Sequence, residues 1–394
     1  MNVPKLRFKE FKDEWITYKF YDLVSIINGQ VDPNKKEYCN LPHIGPGNIE
    51  KETGRLLEYN LAKDDKLISS KYLFNEKSVI YGKINPHFAK VCYPKFVGLC
   101  SADAYPINPI EEKLTSTFLL YLLLNPKFTK FATSVSMRTG MPKINRDELG
   151  IYKFTIPKIN EQIKIGKTLE LLDKKIELQS KKIEDLKLFK KGLDIKIFNN
   201  KKLFDVGIIK EYFESDGGTA LEKYIDEKGT YNIISIGNYT PDGRYYDNGQ
   251  KVIYNEKTKM KLLSKNNLAM ILNDKTTTGD IIGSTILIDE DNKYIYNQRT
   301  QKLICKNINA EYSWCFFNSK YFRDKVFRLS QGGTQIYVNY SQIENQKIFI
   351  PKNKKIENDI VKSIFLITKL IDNENDKFLK LQKLKKGLMQ NMFV

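Results

Sequence analysis

The sequence predicts an α+β fold in which two mixed α/β domains alternate with two long helices, and in which the second half of the chain repeats the first. The repeat is strongest between residues 156–198 and 350–393, which both begin with Ile-Pro-Lys and both close with Lys-Lys-Gly-Leu. A single shift, the one that takes Gly192 to Gly387, superimposes their apolar positions. Short apolar runs typical of strands occupy the stretches between these blocks.

The repeat divides the chain into four segments. We predict a first mixed domain over residues 1–155, a central long helix over 156–199, a second mixed domain over 200–349 and a C-terminal long helix over 350–394. Apolar runs at 78–81 and 268–272 and partial alternation at 231–236 predict strands in both mixed domains. Each mixed domain then has one aromatic amphipathic helix, residues 114–131 and 312–327, and a polar glycine loop, residues 138–143 and 331–335.

Heptad spacing predicts the role of the long helices. The first seam consists of Ile165, Leu169, Leu172, Ile176, Ile183, Leu186, Leu193 and Ile197, and the second of Ile360, Ile364, Ile367, Ile371, Phe378, Leu381, Leu388 and Met392. Even the polar interruptions match, because Gln179 aligns with Glu374 and Lys190 with Lys385. Each seam needs a partner helix, and we expect the two copies to form an antiparallel intramolecular coiled coil with pseudo-two-fold symmetry. The alternative is that each helix covers only its own domain.

Composition limits the possible function classes. The chain has 394 residues, 41% hydrophobic content and a formal net charge of +18, which suits folded domains with a basic surface for a phosphate backbone. An ordinary basic protein from an AT-rich genome is the alternative. The five cysteines form no Cys-x-x-Cys pair and the only histidines are His43 and His87, so neither a zinc site nor a disulfide framework is expected. The N-terminus lacks an apolar signal region, and we expect a cytoplasmic protein.

Two short motifs resemble catalytic loops, and we interpret neither as catalytic. Residues 85–88, Asn-Pro-His-Phe, approach the loop with which amino-methyltransferases hold a flipped base, but the third position differs and no glycine-rich cofactor loop follows a strand. Residues 166–168, Gly-Lys-Thr, match half of a phosphate-binding P-loop but lie inside a heptad helix. A fused methyltransferase that uses residues 85–88 stays open as a weaker alternative.

Both mixed domains contain loops in which Lys, Arg, Asn, Gln and Thr lie near glycine. Arg or Lys can bond guanine and Asn or Gln can bond adenine in the major groove. The candidate DNA-binding residues are Asn48, Lys83, Asn85, His87, Arg138, Thr139 and Lys143 in the first domain, and Asn238, Arg244, Lys275, Thr276, Thr277, Gln298, Arg299, Thr334, Gln335 and Tyr337 in the second. Three matches across the repeat favour them: Asn48 with Asn238, Arg55 with Arg244, and loop 138–143 with loop 332–337. For any single residue, a solvated loop side chain is the alternative.

Taken together, these features make the chain resemble the specificity subunit of type I restriction-modification enzymes. The resemblance rests on the Ile-Pro before each long helix, the Lys-Lys-Gly-Leu near each helix end, the glycine loop before each helix and the order of the four segments. It implies two target-recognition domains, which read the 5′ and 3′ halves of a bipartite, asymmetric double-stranded DNA site. It also implies that the coiled coil sets the spacer and docks the modification subunits. One departure is Met141-Pro142, which replaces the polar residues found at Thr334-Gln335.

The same resemblance implies a chain without catalytic residues, cofactor or metal of its own. Two modification subunits would methylate adenine with S-adenosylmethionine, and restriction subunits would use ATP and Mg²⁺ for translocation and cleavage; no membrane is involved. A structural coiled-coil adaptor that binds protein partners is the competing hypothesis from another class. Sequence-selective adenine methylation, measured with the partner subunits present, distinguishes the two.

Overall fold

The structure, a computed structural model, describes residues 3–136 and 140–394. The chain folds into two compact units. The first contains Met1–Ser180 and Asp376–Val394, and the second contains Lys181–Asn375. Each unit therefore combines one mixed domain with one end of each long helix.

The first unit contains nine strands among its described residues. They are β1 (Ile16–Lys19), β2 (Val24–Ile26), β3 (His43–Ile44), β4 (Tyr72–Phe74), β5 (Val79–Gly82), β6 (Val91–Cys92), β7 (Gly98–Cys100), β8 (Ala104–Pro109) and β9 (Lys153–Ile156). The helices are α1 (Ser116–Leu124), α2 (Pro126–Val135), α3 (Arg146–Ile151) and the first part of α4 (Ile159–Asn199).

Three sheets organise this unit. An antiparallel sheet has the strand order β2-β8-β5-β6, and a smaller sheet has the order β3-β7-β4, in which β3 and β7 are parallel. Strands β1 and β9 pair antiparallel, with Ile16 opposite Ile156, and so bring the start and the end of the mixed domain together. The strand predicted near residues 78–81 is confirmed as β5.

The helix predicted over residues 114–131 is two helices. All residues from Phe118 to Leu124 are buried in the core, and α1 ends there because Pro126 cannot donate the next helical hydrogen bond. Asn125 makes the transition: its side-chain oxygen accepts from the Lys127 amide at 2.9 Å and starts α2. The single-helix prediction was therefore wrong at this position.

The second unit repeats this arrangement. Its strands are β10 (Phe204–Ile208), β11 (Phe213–Gly217), β12 (Tyr231–Ile234), β13 (Lys251–Val252), β14 (Leu268–Ile271), β15 (Asn273–Asp274), β16 (Thr285–Leu287), β17 (Tyr294–Tyr296), β18 (Thr300–Cys305), β19 (Ile336–Tyr337) and β20 (Lys347–Pro351). Its helices are α5 (Ile209–Tyr212), α6 (Glu256–Lys259), α7 (Ala310–Phe317), α8 (Lys320–Leu329), α9 (Tyr340–Glu344), the last part of α4 and most of α10 (Lys354–Asn391).

The sheets of the second unit correspond to those of the first. The four-stranded order is β11-β18-β14-β16, the three-stranded order is β13-β12-β17 with β12 and β17 parallel, and β10 pairs with β20. Here too the predicted aromatic helix is two helices, α7 and α8, because Ser319 caps α8 by accepting from the Phe322 amide at 3.3 Å. The internal repeat thus extends from the long helices into the mixed domains.

The long helices pair antiparallel within each unit, as the heptads predicted. In the first unit, the Lys385 ammonium lies 2.5 Å from the Asp173 carboxylate. In the second, Lys182 lies 3.2 Å from Glu374, a buried residue at an interruption of the seam. None of the predicted seam residues, all of which the structure describes, is exposed.

The sequence predicts that each Ile-Pro pair begins a long helix, but both pairs lie at the end of a strand. Ile156 ends β9 and Pro351 ends β20, whereas α4 and α10 begin only at Ile159 and Lys354. The reason is that both strands are needed to close the mixed domains through β1 and β10. Among the described residues, no helix is long and apolar enough to span a bilayer.

Candidate nucleic-acid interface

In the first unit, the loop after β5 lies against the glycine loop after α2. Ile84 and Lys143 form an antiparallel bridge, and the Asn85 amide donates to the Pro142 carbonyl at 2.8 Å. These backbone contacts bring the predicted residues Lys83, Asn85 and Lys143 together where β5 ends, at one end of the four-stranded sheet. We call this group of loops, formed by residues 82–90, 101–103 and 140–146, the first loop edge.

Positive charge is concentrated at the first loop edge. The Lys83 ammonium lies 5.2 Å from the centre of the Tyr105 ring, and the Arg146 guanidinium lies 5.4 Å from the same ring. Burial lowers the pKa of Lys83, and repulsion by Lys143 and Arg146 lowers it further, although Asp103 opposes the effect. These cations therefore repel each other more than nearby carboxylates compensate.

Further cations surround the second half of the same loop. The Lys51 ammonium lies 3.6 Å from the centre of the Phe88 ring, and Lys90 donates a hydrogen bond to the Pro46 carbonyl. Burial and then the charge of Lys51 lower the pKa of Lys90. The predicted residue His87 is exposed, and its ring centre lies 4.1 Å from that of Phe88.

In the second unit, the corresponding edge is formed by β15 and β19. The Leu272 amide donates to the Arg299 carbonyl at 2.8 Å, and the Leu272 carbonyl accepts from the Val338 amide at 2.9 Å. Residues 273–281, 297–299 and 331–337 meet here, and we call them the second loop edge. It brings together eight predicted residues, all of them exposed: Lys275, Thr276, Thr277, Gln298, Arg299, Thr334, Gln335 and Tyr337.

A buried carboxylate holds the loop after β15. Asp274, which is 4% exposed, accepts from the Thr276 amide at 2.9 Å, from the Thr276 hydroxyl at 2.8 Å and from the Ile281 amide at 2.9 Å. Hydrogen bonds from N–H and O–H groups to a carboxylate are stronger than those between neutral groups, so these three bonds hold the loop in place. The loop therefore has a defined shape, and Thr277 projects into solvent at its tip.

Arg323 supports the same loop from beneath. Its guanidinium donates to the carbonyls of Asp280 at 2.7 Å, Ile282 at 2.8 Å and Pro241 at 3.0 Å. Burial lowers the pKa of Arg323 to about 10. The guanidinium is used inside the unit, so this arginine contributes to the shape of the second loop edge rather than to its outer surface.

Asn48 and Asn238, the first matched pair, have a structural role. Each is the last residue of a short 3₁₀ turn and its side-chain oxygen accepts from the backbone amide three residues earlier, at 2.8 Å and 3.0 Å. Each amide group also donates to a backbone carbonyl, that of Glu58 at 2.7 Å and that of Tyr246 at 2.9 Å. Asn238 is completely buried, so its assignment to a DNA-binding surface is corrected.

The matched Gly-Arg pairs are structural too. Gly243 adopts φ +80°, and a Cβ atom there would lie 2.3 Å from the Asn318 side chain. Arg244 follows it and forms ion pairs with Asp242 and, at 2.5 Å, with Asp372 of α10. These ion pairs hold the loop against the helix, and the role of Arg244 in base contact stays a prediction. Arg55, its match in the first unit, lies 3.2 Å from Glu50.

The remaining predicted residues differ in availability. Gln298 is exposed, and its side-chain amide donates to Glu222 at 2.7 Å. Arg138 and Thr139 lie outside the described residues. The equivalence of the two glycine loops has structural support, because the bridge between Ile84 and Lys143 corresponds to the pairing of Asp274 with Ile336.

Comparison with known proteins identifies the family. The model of the type I restriction modification DNA specificity domain matches twice, over residues 12–188 and 201–383. The chain belongs to the type I restriction-modification specificity family. The two matches coincide with the two halves of the repeat, which explains why each unit has its own loop edge.

Relatives and solved structures agree with this family. The EcoDI specificity subunit of Escherichia coli is 33% identical over 174 residues, which are 43% of this chain and 38% of that protein. The MjaVIII specificity subunit of Methanocaldococcus jannaschii is 24% identical and is aligned over 98% of this chain and 94% of its own length. The S subunit structure from M. genitalium has the same fold, with a TM-score of 0.62, 16% identity and coverage of 100% and 99% of the two chains.

The sequence patterns did not indicate several residues that shape the two loop edges. Tyr105 and Arg146 complete the cation cluster, and Asp274 and Arg323 hold the loop after β15. None stands next to a glycine in a polar loop, which was the signal used. The short spacing of Asp274 before Thr276-Thr277-Thr278 could have indicated an Asx turn. Among the described residues, no cluster of His, Cys, Asp or Glu is arranged to hold a metal ion.

Proposed function

We propose that this chain is the non-catalytic DNA-recognition subunit of a type I restriction-modification complex, and that each loop edge reads one half of a bipartite site. The observation that carries the proposal is the duplication itself. The same sheet order and the same pair of loops occur twice, while the exposed side chains at the two edges differ. A repeated scaffold with different polar surfaces suits recognition of two different short sequences.

The long helices supply the second part of the proposal, which is docking of two modification subunits. Leu171 and Leu384 are 68% and 51% exposed in the first unit, close to the contact between Asp173 and Lys385. The repeat shift that takes Gly192 to Gly387 also takes Leu171 to Leu366, and it takes Phe189 to Leu384.

Leu366 and Phe189 are the equivalent pair in the second unit, 58% and 62% exposed. Trp314 lies near the sequence neighbours of both residues. Its ring centre is 5.8 Å from the ammonium of Lys190, which follows Phe189, and 5.2 Å from the ring centre of Phe365, which precedes Leu366. Exposed apolar pairs on paired helices are suited to partner helices. We call Leu171 with Leu384 the first apolar pair and Leu366 with Phe189 the second, and we assign one modification subunit to each.

Long-read methylation mapping tests the proposal. A host that carries this chain with its modification subunit is expected to methylate adenine in two short half-sites separated by a constant unread spacer. Exchange of residues 1–150 for those of a related subunit is expected to change one half-site and leave the other unchanged. A change in both half-sites, or no methylated motif, would contradict modular recognition, and an adaptor for proteins alone would give the second result.

Two further measurements address the finer parts of the proposal. The isolated chain is expected not to bind labelled S-adenosylmethionine, since its sequence lacks a glycine-rich cofactor loop after a strand; binding would favour the fused methyltransferase that uses residues 85–88. Deletion of one heptad from each long helix preserves the seam and is expected to shorten the spacer while both half-sites stay the same. Such a complex acts on DNA in the cytoplasm.

A further inference from the structure

The two loop edges have equivalent positions in their units but different charge. The segments of the first loop edge hold four basic residues, Lys83, Lys90, Lys143 and Arg146, and one acidic residue, Asp103. The segments of the second loop edge hold two basic residues, Lys275 and Arg299, and two acidic residues, Asp274 and Asp280. The first edge is therefore strongly positive, whereas the second is formally neutral.

Part of the positive charge of the first loop edge is available to a ligand, whereas Lys90 donates to the Pro46 carbonyl and Arg146 donates to the Ile27 carbonyl at 2.9 Å and to the Asn28 side chain. Lys143 is exposed and makes its contact to Ile84 through the backbone. Lys83 lies over the Tyr105 ring, and its pKa is lowered by burial and by the neighbouring cations, an effect that Asp103 opposes. Clustered cations that lower one another's pKa are relieved when an anion binds between them.

The two carboxylates of the second loop edge are used inside their own loop. Asp274 accepts three hydrogen bonds from its own loop, and Thr278 donates to Asp280 at 3.0 Å. Arg323 is buried beneath the loop. The outward groups include the cations Lys275 and Arg299, and the others are neutral hydroxyls and amides, such as those of Thr277, Thr334 and Gln335. Neutral donors and acceptors can bond base edges but release few counterions from DNA.

We propose that the two domains divide the work of binding: the first loop edge provides most of the phosphate contact, and the second loop edge recognises its half-site mainly through neutral hydrogen bonds. This inference rests on the proposed function, because it takes DNA as the ligand of both edges. Its consequence is an asymmetry. Affinity and its dependence on salt are controlled by the first domain, although both domains contribute to sequence choice.

The test is DNA binding by the assembled complex of this chain with its modification subunits. The duplex contains the site found by methylation mapping, and Kd is measured by fluorescence anisotropy at several salt concentrations. Each lost phosphate contact lowers the slope of log Kd against log salt by about 0.9. The variant Lys83→Gln/Lys143→Gln is expected to lower the slope by about 2, and Lys143→Gln alone, at an exposed position, by about 1.

A matched control removes the same charge from the other edge. Lys275→Gln/Arg299→Gln is expected to lower the slope by less than about 0.5, and circular dichroism with thermal unfolding checks that all variants fold. Equal slope changes in the two double variants, or a larger change in the control, would overturn the division of work. If the unaltered complex bound its site no better than unrelated DNA, the proposed function itself would fail, so the two failures can be distinguished.

Discussion

The Arg7 guanidinium donates two hydrogen bonds of 2.8 Å to the buried carboxylate of Glu161, one from Nε and one from Nη2. Glu161 lies in the first turn of α4 and is 2% exposed. The contact attaches the N-terminal segment to the start of the long helix. A second contact, from the Leu6 amide to the Asn391 carbonyl at 2.8 Å, attaches the same segment to the end of α10.

Loss of this carboxylate charge is expected to destabilise the first unit. Glu161→Gln leaves Arg7 without its counter-charge, and we expect the free energy of unfolding to fall by about 2 kcal/mol. The loss is smaller than the 3–5 kcal/mol typical of a fully buried pair, because Arg7 can turn toward water. Urea unfolding followed by Trp15 fluorescence, in a Trp314→Phe background, measures it. Arg7→Met/Glu161→Met is expected to recover most of the loss, and a double variant as unstable as Glu161→Gln would contradict this account.

Asn238 is expected to matter for stability and not for base choice. Asn238→Ala leaves the Ser235 amide and the Tyr246 carbonyl without their partner, and an unsatisfied buried group costs about 1–3 kcal/mol. Unfolding of the second unit, followed by Trp314 fluorescence in a Trp15→Phe background, should shift accordingly. Asn48→Ala, at the partly exposed match, is expected to cost less. A new methylation motif in the Asn238→Ala complex would show that the residue reads DNA after all.

The two apolar pairs are expected to dock modification subunits independently. Leu171→Gln/Leu384→Gln removes the first pair and should reduce the stoichiometry from two modification subunits to one, because each exposed pair contributes apolar area to its own interface. Phe189→Gln/Leu366→Gln should do the same at the second. Native mass spectrometry gives the subunit count. The control Lys174→Gln/Lys386→Gln alters exposed positions on the same helices and should leave two subunits bound; loss of a subunit in the control would argue against the assigned pairs.

Asp194 makes the stability of the second unit depend on pH. Burial raises the pKa of Asp194 to about 6, and the charge of Lys190 opposes the effect only in part. The folded state therefore holds this proton more tightly than the unfolded state does, so stability falls as pH rises from about 4 to about 6 and is constant above that range. Relative to the ordinary pKa of an aspartate, the cost at pH 7 is roughly 3 kcal/mol.

Replacement of this buried aspartate tests the pH dependence. Asp194→Asn is expected to stabilise the second unit at pH 7 by up to about 3 kcal/mol and to have little effect at pH 4, where Asp194 is protonated in the folded state and partly protonated in the unfolded state. Thermal unfolding at pH 4, 5, 6 and 7 measures the difference. Asp205→Asn, at an exposed position, is the control. A stabilisation that is the same at every pH would exclude the ionisation of Asp194 as its cause.

The long helices could be predicted well because their signal is local and periodic. Apolar residues at heptad spacing must be buried, and Leu169 and Ile364 are indeed buried on the predicted seam. The break at Asn125-Pro126 was missed because a continuous aromatic pattern runs across it. The start of each long helix was missed because Ile156 and Pro351 are required by strand pairing, which a helical pattern does not reveal.

The candidate site could be predicted only in part because several polar residues have the same composition signal but different partners. Thr334 and Gln335 were correctly placed in an exposed glycine loop, and Gly332 explains its shape: φ is +118°, and a Cβ atom would lie 2.0 Å from the Gln335 carbonyl oxygen. Asn238 carries the same signal yet is buried, since its amide completes a 3₁₀ turn. Only coordinates reveal which amides are already satisfied.

The sequence by itself determined the duplication, the paired helices and the family, because each depends on the order and spacing of residues along the chain. The tertiary structure alone decided which polar residues face outward and which charges remain free. Lys83 and Lys143 lie far apart in sequence and meet through backbone pairing, whereas Arg244 and Arg323 have their donors occupied inside the fold. Whether a charge stays free at the surface depends on which groups lie near it in three dimensions, and residue order does not specify those neighbours.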